Sequence, residues 1–137
     1  MMIDYLKPYE LSIFVTGILG LIFIFQLLVA DVAAIAAKHT PGFPVIPNHN
    51  NFFFRATRAV ANSNESVSIF VLLLIFGIFS GAQAKWLNIS VSIYLLGRIA
   101  HMFCYYFDLK SARSAGFIVA LIGLLGMFSV GIYSWFQ

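Results

Sequence analysis

Charge is scarce in this sequence. Asp, Glu, Lys and Arg supply 9% of its 137 residues, against roughly 25% in ordinary soluble domains. A soluble fold of this size could not cover its surface with so few charges, and disorder needs the opposite balance of high charge and low hydrophobicity. The single cysteine, Cys104, excludes an internal disulfide framework and a cysteine-based zinc site. A Gly-rich phosphate loop, HExxH and GxSxG are all absent. The net charge of +3 comes from scattered residues, so no basic stripe for nucleic acid exists. No internal repeat is visible. What remains is apolar: 61% hydrophobic and 17% aromatic, with 15 phenylalanines. That is the makeup of an integral membrane protein with one domain, residues 1–137.

A spanning helix needs about 20 apolar residues, since about 1.5 Å of rise per residue must cross about 30 Å of hydrocarbon. Between Glu10 and Asp31 lie 20 uncharged residues, and between Glu65 and Lys85 lie 19. The 22 residues between Lys85 and Asp108 are broken only by Arg98, and the last 24 residues, after Arg113, carry no charge. Four spans follow, at approximately 10–36, 56–82, 86–107 and 114–136. Nothing alternates like a barrel strand, so the spans are expected to be helices in an all-α bundle.

Lysine and arginine near the helix ends set orientation. The first and third connections hold Lys38, Arg55, Arg58, Lys110 and Arg113, while the other side holds Lys7 and Lys85. Both termini are therefore expected on the non-cytoplasmic side. Tyr9, Trp86, Tyr133 and Trp135 fall near that boundary, where an interfacial aromatic belt would sit, or where they would simply pack. The first connection carries Pro41, Pro44 and Pro47, a three-residue spacing that suits an extended spacer.

Ionisable residues inside spans are costly, roughly 2.5–3.5 kcal/mol at the bilayer centre, and commonly mark function. Arg55, Arg58, Asn62 and Glu65 are spaced 3, 4 and 3, which puts them within an arc of about 80° on a helix. Tyr94, Arg98, His101, Tyr105 and Asp108 are spaced 4, 3, 4 and 3 and share a similar arc on the third span. Arg113 and Ser114 open the fourth span at the same end. Clustered cations with amide and hydroxyl groups suit a small anionic, peptide-like ligand, because a guanidinium holds a carboxylate through two parallel hydrogen bonds. The alternative is that Glu65 and Arg98 pair with each other to make insertion tolerable, with the remaining cations serving as topology signals.

Other features carry less. Cys104 reads as core. His39 and His49 lack ligand spacing, so no metal is expected. Gly116, Ala120 and Gly123 permit close helix approach on the fourth span, and Gly17 and Gly20 permit it on the first.

The stretches RATRAVANSNESVSIF (Arg55–Phe70) and GRIAHMFCYYFDLKSARSAGF (Gly97–Phe117) resemble the MAPEG family, the membrane-associated proteins of eicosanoid and glutathione metabolism. The shared pattern is R-x-x-x-N-x-x-E on the second span, then R-x-x-[H/Y]-x-x-x-Y on the third and an Arg opening the fourth. The resemblance is closest to short bacterial members. It implies a four-helix bundle assembled as a homotrimer, in a bacterial inner membrane rather than the endoplasmic reticulum, with glutathione at the cytoplasmic-side interface between subunits. Arg58, Asn62 and Glu65 would hold the polar ends of the tripeptide, with Arg98, His101 and Tyr105 contributing from the third span and Lys38 from the end of the first. Arg113 would stabilise the thiolate and Ser114 would assist. The implied activity is a glutathione-dependent transferase or peroxidase acting on a small hydrophobic electrophile delivered from the lipid. The rival expectation is a non-enzymatic membrane oligomer: a transporter-like assembly in which Asp31, Glu65 and Arg98 line a path, or a catalytically silent family member.

Overall fold

The computed structural model describes the backbone from residue 2 and side chains from residue 4, through residue 137. A short helix α1 (Met2–Leu6) and a 3-10 turn (Lys7–Tyr9) lead into four long helices: α2 (Glu10–Ala36), α3 (Phe52–Phe79), α4 (Ala84–Tyr106) and α5 (Lys110–Trp135). Each long helix is long and apolar enough to cross a membrane. The chain is an all-α integral membrane four-helix bundle, and no strand occurs among the described residues. The connections at 37–51 and 107–109 share one end, called here the loop end. The termini and the 80–83 turn share the other, the terminal end.

Helix α2 keeps the bounds of the first hydropathy span, whereas α3 and the start of α5 depart from theirs for local reasons. Helix α3 begins at Phe52 rather than near residue 56, because the Asn51 side chain accepts a hydrogen bond from the Phe53 N–H at 2.9 Å and caps the helix. It ends at Phe79 because Gly81 turns left-handed, with φ +68°, and Ala82 N–H donates back to the Gly77 carbonyl. Lys38 and Asp108 take the same left-handed role after α2 and α4, with φ +53° and +56°. His39 and Leu109 then donate back to Ala34 and Cys104. All three helices thus close with the same 6→1 hydrogen bond, which satisfies carbonyls a membrane could not solvate. Helix α5 starts at Lys110, before the apolar run, since a polar first turn outside the hydrocarbon still forms helix.

The core lies between α4 and α5 and under α3. Gly97, Gly116 and Gly123 let these two backbones touch: a Cβ on Gly97 or Gly123 would overlap the Ala120 or Tyr94 backbone, and one on Gly116 would lie 2.9 Å from the His101 nitrogen. Gly17 and Gly20 behave differently from expectation. They face open space: among the described residues, nothing beyond their own stretch of helix lies within 4 Å of an added Cβ. Tyr9 also departs from the belt expected of it: it is buried, and its hydroxyl donates to the Ala82 carbonyl at 2.7 Å. Trp86, Tyr133 and Trp135 are exposed, as belt residues would be.

Candidate functional site

Helix α4 is the most buried of the four spans. Tyr94, Arg98, His101 and Tyr105 occupy its inner face, so the polar stripe seen in the sequence points into the bundle. Arg98 is 1% exposed. Its Nη1 donates to Asn62 Oδ1 and its Nη2 to Ser63 Oγ, both at 2.9 Å. Ser63 in turn donates to Gln26 Oε1 on α2 at 2.7 Å. One guanidinium therefore ties three helices together. The Asn62 amide donates to Glu65 Oε2 at 3.3 Å, so the carboxylate is linked to Arg98 through an amide rather than by direct pairing. Tyr94 shares a 2.8 Å hydrogen bond with Ser66 and stacks on Phe70. The Arg98 Nε and His101 Nδ1 are buried without a hydrogen-bond partner among the described residues.

Beside this network a cavity of about 190 Å³ opens between α3, α4 and α5. Asn62, Glu65, Ser66, Tyr94 and Arg98 provide its polar wall, and Phe117 and Leu121 of α5 its apolar one. Glu65 is exposed at its edge. The cavity is thus amphipathic, with a guanidinium, a carboxylate and an amide on one side and hydrocarbon on the other.

The other expected residues lie around it rather than in it. His101 is buried under Tyr105 and Phe117, with ring centroids 5.0 and 6.3 Å away. The Arg113 guanidinium sits 4.8 Å over the Tyr105 ring, a cation–π contact that orients it at the start of α5. Ser114 is exposed and Arg58, on α3, is half-buried. Lys38 is exposed and lines a separate groove of about 450 Å³ under the long loop, with His39, Asn51 and Phe53. The chain thus brings Asn62, Glu65 and Arg98 together, sets Arg113 against Tyr105 nearby, and leaves Lys38 apart.

Three participants escaped the sequence reading. Ser63 and Ser66 carry the network, yet a serine in a helix gives no sign of its partner. Gln26 did carry a sign, as the lone amide in a 20-residue apolar run. Arg55, read as part of the stripe, has a structural task. Its Nε donates to the Tyr105 carbonyl at 3.0 Å and its Nη1 to the His49 carbonyl at 2.6 Å, which ties the long loop and α3 to the C-terminal end of α4.

An amphipathic cavity framed by Asn62, Glu65 and Arg98 in a four-span bundle defines a polytopic membrane protein with an intramembrane polar site. The sequence matches the MAPEG family over residues 12–133, which is most of its length, and the chain belongs to that family. Comparison with curated proteins finds no match.

Proposed function

We propose that the chain binds glutathione at the loop end and uses its thiolate against a hydrophobic electrophile, as a transferase or peroxidase, within a homotrimer. Family membership supports the coarse reading, since MAPEG members include glutathione transferases and peroxidases. The observation that carries the finer one is the Arg98–Asn62–Glu65 wall facing an apolar wall of α5. Such a wall can hold the ammonium, carboxylates and amides of a peptide while its other side accepts lipid-borne hydrocarbon.

The cavity of about 190 Å³ within one chain is smaller than the roughly 300–1,000 Å³ of typical ligand sites. The tripeptide would therefore lie across its mouth, with Arg58 and Arg113 on the rim and a neighbouring subunit closing the outer side. Arg113 would favour the thiolate, whose sulfur is the nucleophile. The thiol proton leaves to solvent. In the transferase branch the sulfur bonds to the electrophilic carbon as a leaving group departs with its electron pair, or as a conjugated double bond shifts its pair and takes up a proton. In the peroxidase branch the sulfur bonds to a peroxide oxygen as the O–O bond breaks, releasing an alcohol and glutathione sulfenic acid, which a second glutathione converts to the disulfide and water. Five Lys and Arg residues at the loop end against Lys7 and Lys85 at the other support a cytoplasmic loop end, with both termini on the opposite side of a bacterial inner membrane.

The test is calorimetric titration of the purified oligomer with glutathione. Saturable binding that weakens in Glu65→Gln supports the reading, and an absence of heat at millimolar ligand sinks it. A second reading draws on the hydrogen bonds of Arg98 to Asn62 and Ser63. A guanidinium so occupied suits a catalytically silent member in which the network only holds the helices. That reading expects no thermal stabilisation by millimolar glutathione.

A further inference from the structure

The long connection at the loop end is left unused by the proposed function. Residues 32–64 include Lys38, Arg55 and Arg58 and no carboxylate. Two hydrogen bonds and a ring contact hold this segment down. The His39 N–H donates to the Ala34 carbonyl at 3.0 Å, Arg55 Nη1 donates to the His49 carbonyl at 2.6 Å, and the His39 ring lies 4.9 Å from that of Phe53. Val45 packs on the buried cluster of Ala30, Ala33, Phe53 and Ala56. Phe43 and Ile46, on either side of it, stay 68% and 81% exposed.

The groove of about 450 Å³ under this loop is lined by two kinds of residue. Lys38, Thr40 and Asn51 are polar, and Phe43 and Ile46 are apolar. The Lys38 ammonium, the Thr40 hydroxyl and the Asn51 amide donate to nothing among the described residues. No carboxylate lines the groove; Asp31 lines a neighbouring one, which shares His39 and Phe53 with it. Depth follows from helix rise. Helix α2 continues to Ala36, five residues past the Asp31 that closes its uncharged run, or about 7.5 Å. A headgroup layer is about 5–8 Å thick, half the difference between a bilayer of about 40–45 Å and a hydrocarbon core of about 30 Å. Lys38 therefore stands at the level of lipid phosphates. Toward the membrane interior an apolar groove, also of about 450 Å³, descends α2 past Ala36, Val32, Leu28 and Phe25, beside Phe52 of α3. The two linings adjoin at Ala36 and Ala37 on α2 and at Phe52 and Phe53 on α3.

We propose that these two grooves together bind one anionic phospholipid. Its phosphate sits on Lys38, Thr40 and Asn51, an acyl chain runs along α2 past Val32, and Phe43 and Ile46 sink into the bilayer surface beside it. An unpaired ammonium with two neutral donors complements a phosphodiester. A zwitterionic lipid would bring a cation of its own, and the groove offers that cation no carboxylate. The apolar groove calls for hydrocarbon joined to the phosphate, which selects a lipid over a free phosphate. The site shares no residue with the cavity of Asn62, Glu65 and Arg98, so it stands whether or not glutathione binds.

The experiment is native mass spectrometry of the detergent-purified full-length protein with dioleoyl phosphatidylglycerol or dioleoyl phosphatidylcholine added at equal concentration. The wild type should hold phosphatidylglycerol about fivefold more tightly, the effect of one lysine at a membrane surface. Lys38→Asn removes the charge, and asparagine tolerates the left-handed φ of +53° at that position. It should bring the two lipids level. Equal binding by the wild type overturns the proposal, as does a preference that survives Lys38→Asn. Ala36→Trp fills the top of the apolar groove and should weaken both adducts; unchanged adducts contradict the acyl placement. Glycerol phosphate at the lipid concentration should displace nothing, and displacement assigns the groove to a free phosphate instead. Loss of an oligomer in Lys38→Asn assigns the face to a second copy and also overturns the proposal. Thermal unfolding in bicelles gives a second readout. Phosphatidylglycerol should raise the wild-type Tm above its value in phosphatidylcholine, and Lys38→Asn should erase the difference; no difference in the wild type contradicts the site. None of these readouts involves glutathione, so a failed lipid site and a failed ligand assignment are distinguishable.

Discussion

The two ends of the bundle treat polar groups in opposite ways. At the terminal end they close on one another. The Ser12 N–H and hydroxyl both donate to Asn88 Oδ1, at 3.1 and 2.6 Å, and the Asn88 amide donates to the Pro8 carbonyl at 3.0 Å. Tyr5 and Tyr9 donate to the carbonyls of Ile78 and Ala82 across the helix gap. Toward the loop end the polar groups are stacked and shared, yet Arg98 Nε and His101 Nδ1 remain buried without hydrogen-bond partners among the described residues. On α3 there, Arg58 is half-buried and Glu65 exposed. A buried polar group without a partner costs about 1–3 kcal/mol, so one end is built to hold the chain and the other keeps binding capacity in reserve.

Removing the hub should have the largest effect. Arg98→Met leaves Asn62 and Ser63 without their donor and should cost on the order of 3 kcal/mol in stability, read by thermal unfolding in detergent. It should also abolish glutathione binding. A variant that keeps both would erase the distinction between the ends. Asn88→Ala comes next. Its three hydrogen bonds suggest a loss of about 2 kcal/mol, with glutathione affinity unchanged; a weaker titration would mean that the ends are coupled. Glu65→Gln is smaller in stability, within about 0.5 kcal/mol for an exposed side chain, but it should lower glutathione affinity about tenfold by removing one charge-assisted contact.

Much of this architecture was legible in the sequence, and the gaps have physical causes. Span number and helical class follow from lengths of uncharged chain, because a membrane penalises every unpaired backbone group. The first span's bounds were legible and match α2, but the ends of α3 were not, because hydropathy marks where hydrocarbon begins, whereas Asn51 and Gly81 mark where that helix begins and stops. The stripe on α4 was visible as a period, but a period does not say whether Arg98 faces a ligand or a neighbouring helix. The structure has it touching Asn62 and Ser63 beside a cavity. Gly17 and Gly20 show the same ambiguity, since small residues signal close approach without naming the partner, and no other helix among the described residues comes within 4 Å of a Cβ there. Ser63 was not legible at all, because its importance arises only from the register that brings Gln26 beside it.

The smallest structural change tests the central claim most directly. Arg113→Ala removes one cation–π contact with Tyr105, worth about 0.5–1 kcal/mol at a partly exposed site, and should leave the fold and oligomer intact. The measurement is the ultraviolet thiolate absorbance of glutathione bound to the wild-type and Arg113→Ala proteins at matched saturation. The account predicts a thiolate band in the wild type that is lost in the variant, and equal absorbance in the two proteins contradicts it.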